Sequence, residues 1–137
     1  MKTINLFSIV VLCCVHASVQ EDMSDQHKEI MQKLHNTCVQ ETGVSEDAIS
    51  NAAKGTFAED GKLSCYMKCL VVQLGVFSEE DGFDSEAFVE MVPDHMKETM
   101  SEVVNKCTPL SGSTSCDKIF QFNKCFYNVN PQKFVIF

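Results

Sequence analysis

The sequence has 137 residues, with eight cysteines, no arginine and a net charge of −8 at neutral pH. A chain of this length is expected to form one domain, and its acidic balance disfavours binding to nucleic acid or to an anionic membrane surface. The absence of arginine also removes the planar group that most often binds carboxylates and phosphates.

The first nineteen residues have the layout of a secretory signal peptide. Lys2 precedes an uncharged run over residues 4–15, and small residues follow at positions 17 and 18. A membrane anchor is the alternative, but this run and every later one are shorter than the roughly 18 apolar residues that span a bilayer. We expect cleavage between Ala17 and Gln20, secretion of residues 20–137 as one domain, and a net charge of −9 once Lys2 is removed.

The first half of the mature chain shows helical periodicity. Residues 24–41 place apolar side chains on one stripe, and Gly43 follows as a terminator. Ser45 is typical of an N-cap and predicts a short helix to about Ala53. After the turn at Asp60, apolar residues at helical spacing over residues 63–74 predict a third helix.

The second half begins with the acidic stretch SEEDGFDSE, residues 78–86. It lacks the ligand pattern of an EF-hand calcium loop, so we interpret it as a solvated turn in which Asp84 or Ser85 caps a fourth helix. Pro93 ends that helix and starts a fifth, which runs to Cys107. Residues 116–128 predict the last, and the fold class is therefore all-α, with about six short helices.

Six cysteines remain after signal removal, and an even number in a secreted chain of this size indicates three disulfides. Cys65 and Cys69 stand four residues apart, which suggests metal binding or redox chemistry as alternatives. An oxidising compartment disfavours both, and no second Cys/His pair at zinc spacing is present. On a helix the two Cβ vectors are roughly parallel, so a bond between them would be strained. Residue spacing alone leaves 15 connectivities open for six cysteines.

The cysteine frame resembles that of a known family. The gaps between Cys38, Cys65, Cys69, Cys107, Cys116 and Cys125 are 26, 3, 37, 8 and 8 residues. This series, together with KLHNTCVQETGVSEDAI, KLSCYMKCL and the ending NPQKFVIF, is similar to the six-cysteine insect odorant-binding proteins, which include pheromone-binding proteins.

That resemblance implies three disulfides, Cys38–Cys69, Cys65–Cys116 and Cys107–Cys125, which hold the helices around an apolar cavity. It also implies a carrier that takes small hydrophobic odorants or pheromones through extracellular fluid, such as sensillar lymph, to an olfactory receptor. The sequence leaves open the ligand, the tissue and the formation of a homodimer.

The candidate ligand-binding residues are apolar side chains on the helix faces, many of them methionine or phenylalanine. Methionine is flexible and polarizable, which suits a lining for ligands of varied shape. At helical spacing such residues are more often ordinary core. The candidates on the helices are Leu34, Met67, Leu70, Leu74, Met91, Met96, Met100, Val104, Phe120 and Phe126.

The C-terminal tail, residues 129–137, adds the candidates Phe134, Val135, Ile136 and Phe137. Four consecutive apolar side chains would promote aggregation if they were left in water. We expect them to fold against the domain, and the resemblance implies a pocket wall or lid; a frayed terminus is the alternative. A lid that carries a carboxylate, or that lies near a histidine, would respond to acid, so we expect pH-dependent release.

Other classes of function have less support. No catalytic or phosphate-binding motif is present, and paired cysteines supply no nucleophilic thiol, so we expect no enzyme, no metal and no cofactor. A secreted helical inhibitor or toxin that acts on a protein partner fits the compartment and the cysteines equally well, but it predicts an exposed patch and no internal cavity. A non-sensory carrier of hydrophobic molecules is a further alternative.

Overall fold

A computed structural model describes residues 25–136, and the predicted signal peptide and Phe137 lie outside them. Six α-helices and one short antiparallel strand pair account for the regular structure of the described residues. They are α1 Asp25–Thr42, α2 Glu46–Ala53, α3 Gly61–Gln73, β1 Phe77–Ser78, β2 Gly82–Phe83, α4 Ser85–Met91, α5 Asp94–Cys107 and α6 Ser115–Val129. The predicted all-α fold of about six short helices is confirmed.

Side-chain caps fix where several helices begin. Ser45 accepts a hydrogen bond from the backbone N–H of Ala48 (3.1 Å), and Asp84 accepts one from Ala87 (2.9 Å), as predicted for these two starts. Each cap satisfies a backbone donor that has no partner within its own helix. At the other end of α1, Gly43 takes a φ of +68° and closes the helix in the left-handed region.

The strand pair was not predicted. Phe77 pairs with Phe83 across a turn that contains Gly82 at a φ of +79°, while the acids of the turn face water. Phe77 is buried, and the ring of Phe83 lies 5.0 Å from that of Phe122 on α6. The acidic residues led to the prediction of a solvated turn, but Phe77 and Phe83, which were not considered, attach this turn to the core.

Helix α3 is the central element, packed against both α1 and α6. Two groups of buried side chains lie around it: the first joins α1, α2 and α3 with one side of α6, and the second joins α4, α5 and the other side of α6 with the tail. Disulfides link α1 to α3 (Cys38–Cys69), α3 to α6 (Cys65–Cys116) and α5 to α6 (Cys107–Cys125). These are the three pairs that the family resemblance implies.

Candidate ligand cavity

A small apolar cavity lies between α3, α6, the α4–α5 junction and the tail. Its volume is about 50 Å³, and three of its wall residues are methionines. Twelve residues line it: Met67, Leu70, Val71, Phe88, Val92, Met96, Met100, Phe122, Asn123, Phe126, Val135 and Ile136.

Helical spacing brings these side chains together. Met67, Leu70 and Val71 stand at i, i+3 and i+4 on α3 and so share one face. Pro93 separates α4 from α5, and Val92 and Met96 lie on either side of this break. The break allows two short helices to meet at an angle and to cover one side of the same cavity.

The tail forms another wall. The side chain of Phe134 is 7% exposed, and its ring lies 5.7 Å from Phe57, 5.2 Å from Phe126 and 5.5 Å from Tyr127 between centroids. This aromatic anchor holds the next two residues, Val135 and Ile136, against the cavity. The described part of the tail is therefore docked on the domain.

Half of the candidate lining residues border the cavity in the structure. They are Met67, Leu70, Met96, Met100, Phe126, Val135 and Ile136. The other candidates do not line the cavity. Three are buried in the core, namely Val104, Phe120 and Phe134, and three are partly buried and pack against the core, namely Leu34, Leu74 and Met91. Phe137 lies outside the described residues.

Five wall residues were missed by the sequence reading. Val71 and Phe122 each stand four positions from a residue that was named, Met67 and Phe126 respectively, so helical spacing was a usable signal for them. Phe88 and Val92 belong to the short helix α4 and its end, where seven residues give little periodicity. Asn123 stands three positions before Phe126, so helical spacing was a usable signal for it as well.

The hydroxyl groups of the two tyrosines contact protein groups outside the cavity. The Tyr66 hydroxyl lies 2.8 Å from His35 Nδ1, and His35 Nε2 lies 2.9 Å from a carboxylate oxygen of Glu46. Burial raises the pKa of Tyr66 to about 12, and the negative charge of Glu46 adds to the effect. Tyr127 donates its hydroxyl hydrogen to the backbone oxygen of Lys54 (3.1 Å). Neither tyrosine lines the cavity.

A larger groove of about 570 Å³ lies between the β1–β2 turn and the loop before α6. It is open to solvent, and hydroxyl and charged side chains such as Ser78, Glu79 and Lys118 form much of its lining. A hydrophobic molecule in this groove would keep much of its surface in water and gain little from burial. The smaller cavity beside the methionines is therefore the candidate site.

Comparison with known proteins decides the family. The model of the PBP/GOBP family, the pheromone-binding and general odorant-binding proteins, matches residues 20–129. The chain belongs to this family. It is 30% identical over 131 residues to the B1 protein of Tenebrio molitor, covering 94% of this chain and 96% of that protein. It is 27% identical to general odorant-binding protein 69a of Drosophila melanogaster, covering 73% of this chain and 68% of that protein.

A solved structure shows the same fold. Odorant binding protein 5 of Apis mellifera superposes with a TM-score of 0.75 at 25% identity, covering 84% of this chain and 98% of that one. The resemblance seen in the cysteine frame is thus confirmed. Membership of the PBP/GOBP family implies a binding protein for small hydrophobic ligands, and the family is one of carriers, not of known enzymes.

Proposed function

We propose that this protein is a secreted carrier that binds one small hydrophobic ligand in the cavity between α3, α6 and the tail and delivers it through extracellular fluid to a receptor. The observation that carries the proposal is the composition of the wall: methionine, aromatic and aliphatic side chains from four helices and the tail meet around one space. The name of the Drosophila relative, a general odorant-binding protein, supports an odorant or a similar molecule as the ligand.

The ligand must enlarge the cavity as it enters. Sites for small molecules are typically about 300 to 1,000 Å³, whereas this cavity measures about 50 Å³. Met67, Met96 and Met100 supply flexible, unbranched walls that change rotamer at low cost, and Val135 is already 48% exposed at the outer side. We propose that methionine rotation and an outward shift of the tail, which remains one wall of the cavity, together make the required space.

Release at acid pH forms part of the proposal. His35 bridges Tyr66 on α3 and Glu46 on α2. An imidazole ring that gains a second proton has two N–H donors and no acceptor. The Tyr66 hydroxyl could then no longer donate its hydrogen bond to Nδ1 and would have to reorient. Tyr66 directly precedes the cavity residue Met67 on α3, so protonation would disturb a helix that lines the cavity.

Displacement of an apolar fluorescent probe tests binding and release together. We expect a probe whose emission rises on burial to bind with one-to-one stoichiometry and to be displaced by hydrophobic competitors. Met100→Glu, which places a charge in the wall, should abolish binding, while Val72→Glu on the exposed face of α3 should leave it intact. Failure of the wild-type protein to bind the probe, with native helix content retained, would contradict the carrier function. Equal affinity at neutral pH and at about pH 5 would contradict acid release alone.

The exposed hydrophobic residues give little support to the alternative of an inhibitor that acts on a protein partner. Among the described residues, the exposed large hydrophobic side chains are Ile30, Val72 and Val135, which belong to α1, α3 and the tail. Single exposed apolar residues are ordinary on soluble proteins. The apolar cavity favours the carrier.

A further inference from the structure

Asn123 is the one polar side chain among the twelve residues that line the cavity. It lies on α6 next to Phe122 and three positions before Phe126, and both of these aromatic residues also contribute to the wall. A carboxamide in such a wall is costly unless its polar atoms find partners. Its hydrogen bonds therefore bear directly on which ligands fit.

One hydrogen bond fixes the orientation of the amide. Asn123 Nδ2 donates to the backbone oxygen of Ile119 at 2.9 Å. Because a backbone oxygen only accepts, the side-chain atom at this distance must be the nitrogen, and the amide cannot be flipped. The oxygen, Oδ1, is consequently the atom turned away from Ile119.

Oδ1 accepts no hydrogen bond from the residues that the structure describes. Oδ1 is also accessible to solvent, because no described side-chain nitrogen or oxygen is both buried and without a partner. Asn123, a residue of the cavity wall, therefore carries one accessible acceptor atom, and its amide has a second N–H.

We propose that Asn123 is the specificity-determining residue of the cavity and selects neutral ligands that carry a hydroxyl group on an apolar chain or ring. The ligand hydroxyl donates its hydrogen to Asn123 Oδ1, while the rest of the molecule contacts the methionine and phenylalanine walls. This inference rests on the proposed carrier function and adds to it the chemical class of the ligand.

The surroundings of Asn123 disfavour other classes. An ether or a hydrocarbon would cover Oδ1 without donating to it, which leaves an acceptor desolvated and unpaired. No lysine or histidine is among the twelve lining residues, so an ionised carboxylate would be buried without a counter-charge. A neutral hydroxyl satisfies Oδ1 and carries no charge into the cavity.

Competition with three ligands of equal heavy-atom number tests the proposal: octanol, heptyl methyl ether and nonane. Each ligand is titrated against the bound fluorescent probe on three proteins: the wild type, Asn123→Leu and the matched control Asn128→Leu. Asn128 is an exposed residue on the same helix. Differences in ligand hydrophobicity cancel when the octanol-to-nonane affinity ratio is compared between proteins. We expect Asn123→Leu to lower this ratio by roughly tenfold, and Asn128→Leu to leave it unchanged.

Further arms keep the result interpretable. Asn123→Ala removes the acceptor without added bulk and should lower the ratio in the same way if Asn123→Leu fails to fold. In wild-type protein at neutral pH, octanol should bind more tightly than octanoate. An unchanged octanol-to-nonane ratio in the folded Asn123 variants would overturn the proposal, and so would tighter binding of octanoate. If no competitor displaces the probe from wild-type protein, the carrier function itself fails.

Discussion

Truncation of the aromatic anchor, Phe134→Ala, separates docking of the tail from stability of the helical domain. The Phe134 side chain is 7% exposed and makes edge-on contacts with Phe57, Phe126 and Tyr127. Removing a buried phenylalanine side chain costs about 3 to 5 kcal/mol, including the cavity that remains. Each aromatic pair contributes roughly 0.5 to 1.5 kcal/mol beyond area burial.

This loss falls on two different equilibria. A tail that follows the last helix and carries no disulfide can leave the domain while the helices stay folded. The free energy of global unfolding can then fall by no more than the free energy of tail docking. The free energy of docking itself falls by the full cost of the truncation, so the docked population decreases. We expect Phe134→Ala to lower global stability by less than about 3 kcal/mol and to release Val135 and Ile136 from the cavity.

Hydrogen exchange and ligand competition measure the two effects. The amides of Val135 and Ile136 should exchange much faster in Phe134→Ala, while those in the middle of α3 keep most of their protection. Probe affinity should fall by at least about tenfold, since one wall is lost. Lys133→Ala is the matched control, because Lys133 is exposed in the same tail and does not line the cavity, and this change should alter stability by less than about 0.5 kcal/mol. Unchanged tail exchange and unchanged affinity in Phe134→Ala would refute this account of the anchor.

Two further predictions concern the core. Because the pKa of Tyr66 is raised to about 12 from near 10 in an unfolded chain, its stabilising contribution is complete below about pH 10 and is lost by roughly 2 to 3 kcal/mol as pH rises past 12. Denaturant unfolding at about pH 9 and about pH 11 should detect roughly half of this loss, and Tyr66→Phe should reduce it. Paired cysteine-to-serine changes should cost about 1 kcal/mol more for Cys65–Cys116, whose ends are 51 residues apart, than for Cys107–Cys125, 18 apart; equal unfolding free energies would count against the loop-entropy explanation.

Local signals were sufficient to predict the helices. The caps Ser45 and Asp84 and the break at Pro93 directly precede the helices that begin after them, so the residue types alone indicate these starts. The turn between β1 and β2 differs, because its strands are two residues long and depend on the distant contact between Phe83 and Phe122. A pattern that is local in sequence contains no information about that contact.

The cavity wall was harder to predict because α6 is buried on two sides. Ile119 and Phe120 face the group of side chains shared with α1, α2 and α3, whereas Phe122 and Phe126 face the group shared with α4, α5 and the tail. Phe120 and Phe126 were both predicted to line the cavity, whereas they lie on different sides of the helix and only Phe126 borders it. Which stripe borders the cavity depends on how the helices cross, and spacing along one helix does not contain this angle.

The positions of the disulfides indicate where the cavity can open. Cys65 and Cys69 fix α3 to α6 and to α1, and Cys107 fixes the last residue of α5 to α6. No disulfide reaches the opposite end of α5, where Val92 and Met96 line the cavity beside Pro93, and none reaches the described part of the tail. A cavity of about 50 Å³ must expand to admit a ligand. Expansion at the α4–α5 junction and the tail breaks no disulfide, so these two walls should move while the backbones of α3 and α6, which carry Met67 and Asn123, stay in place.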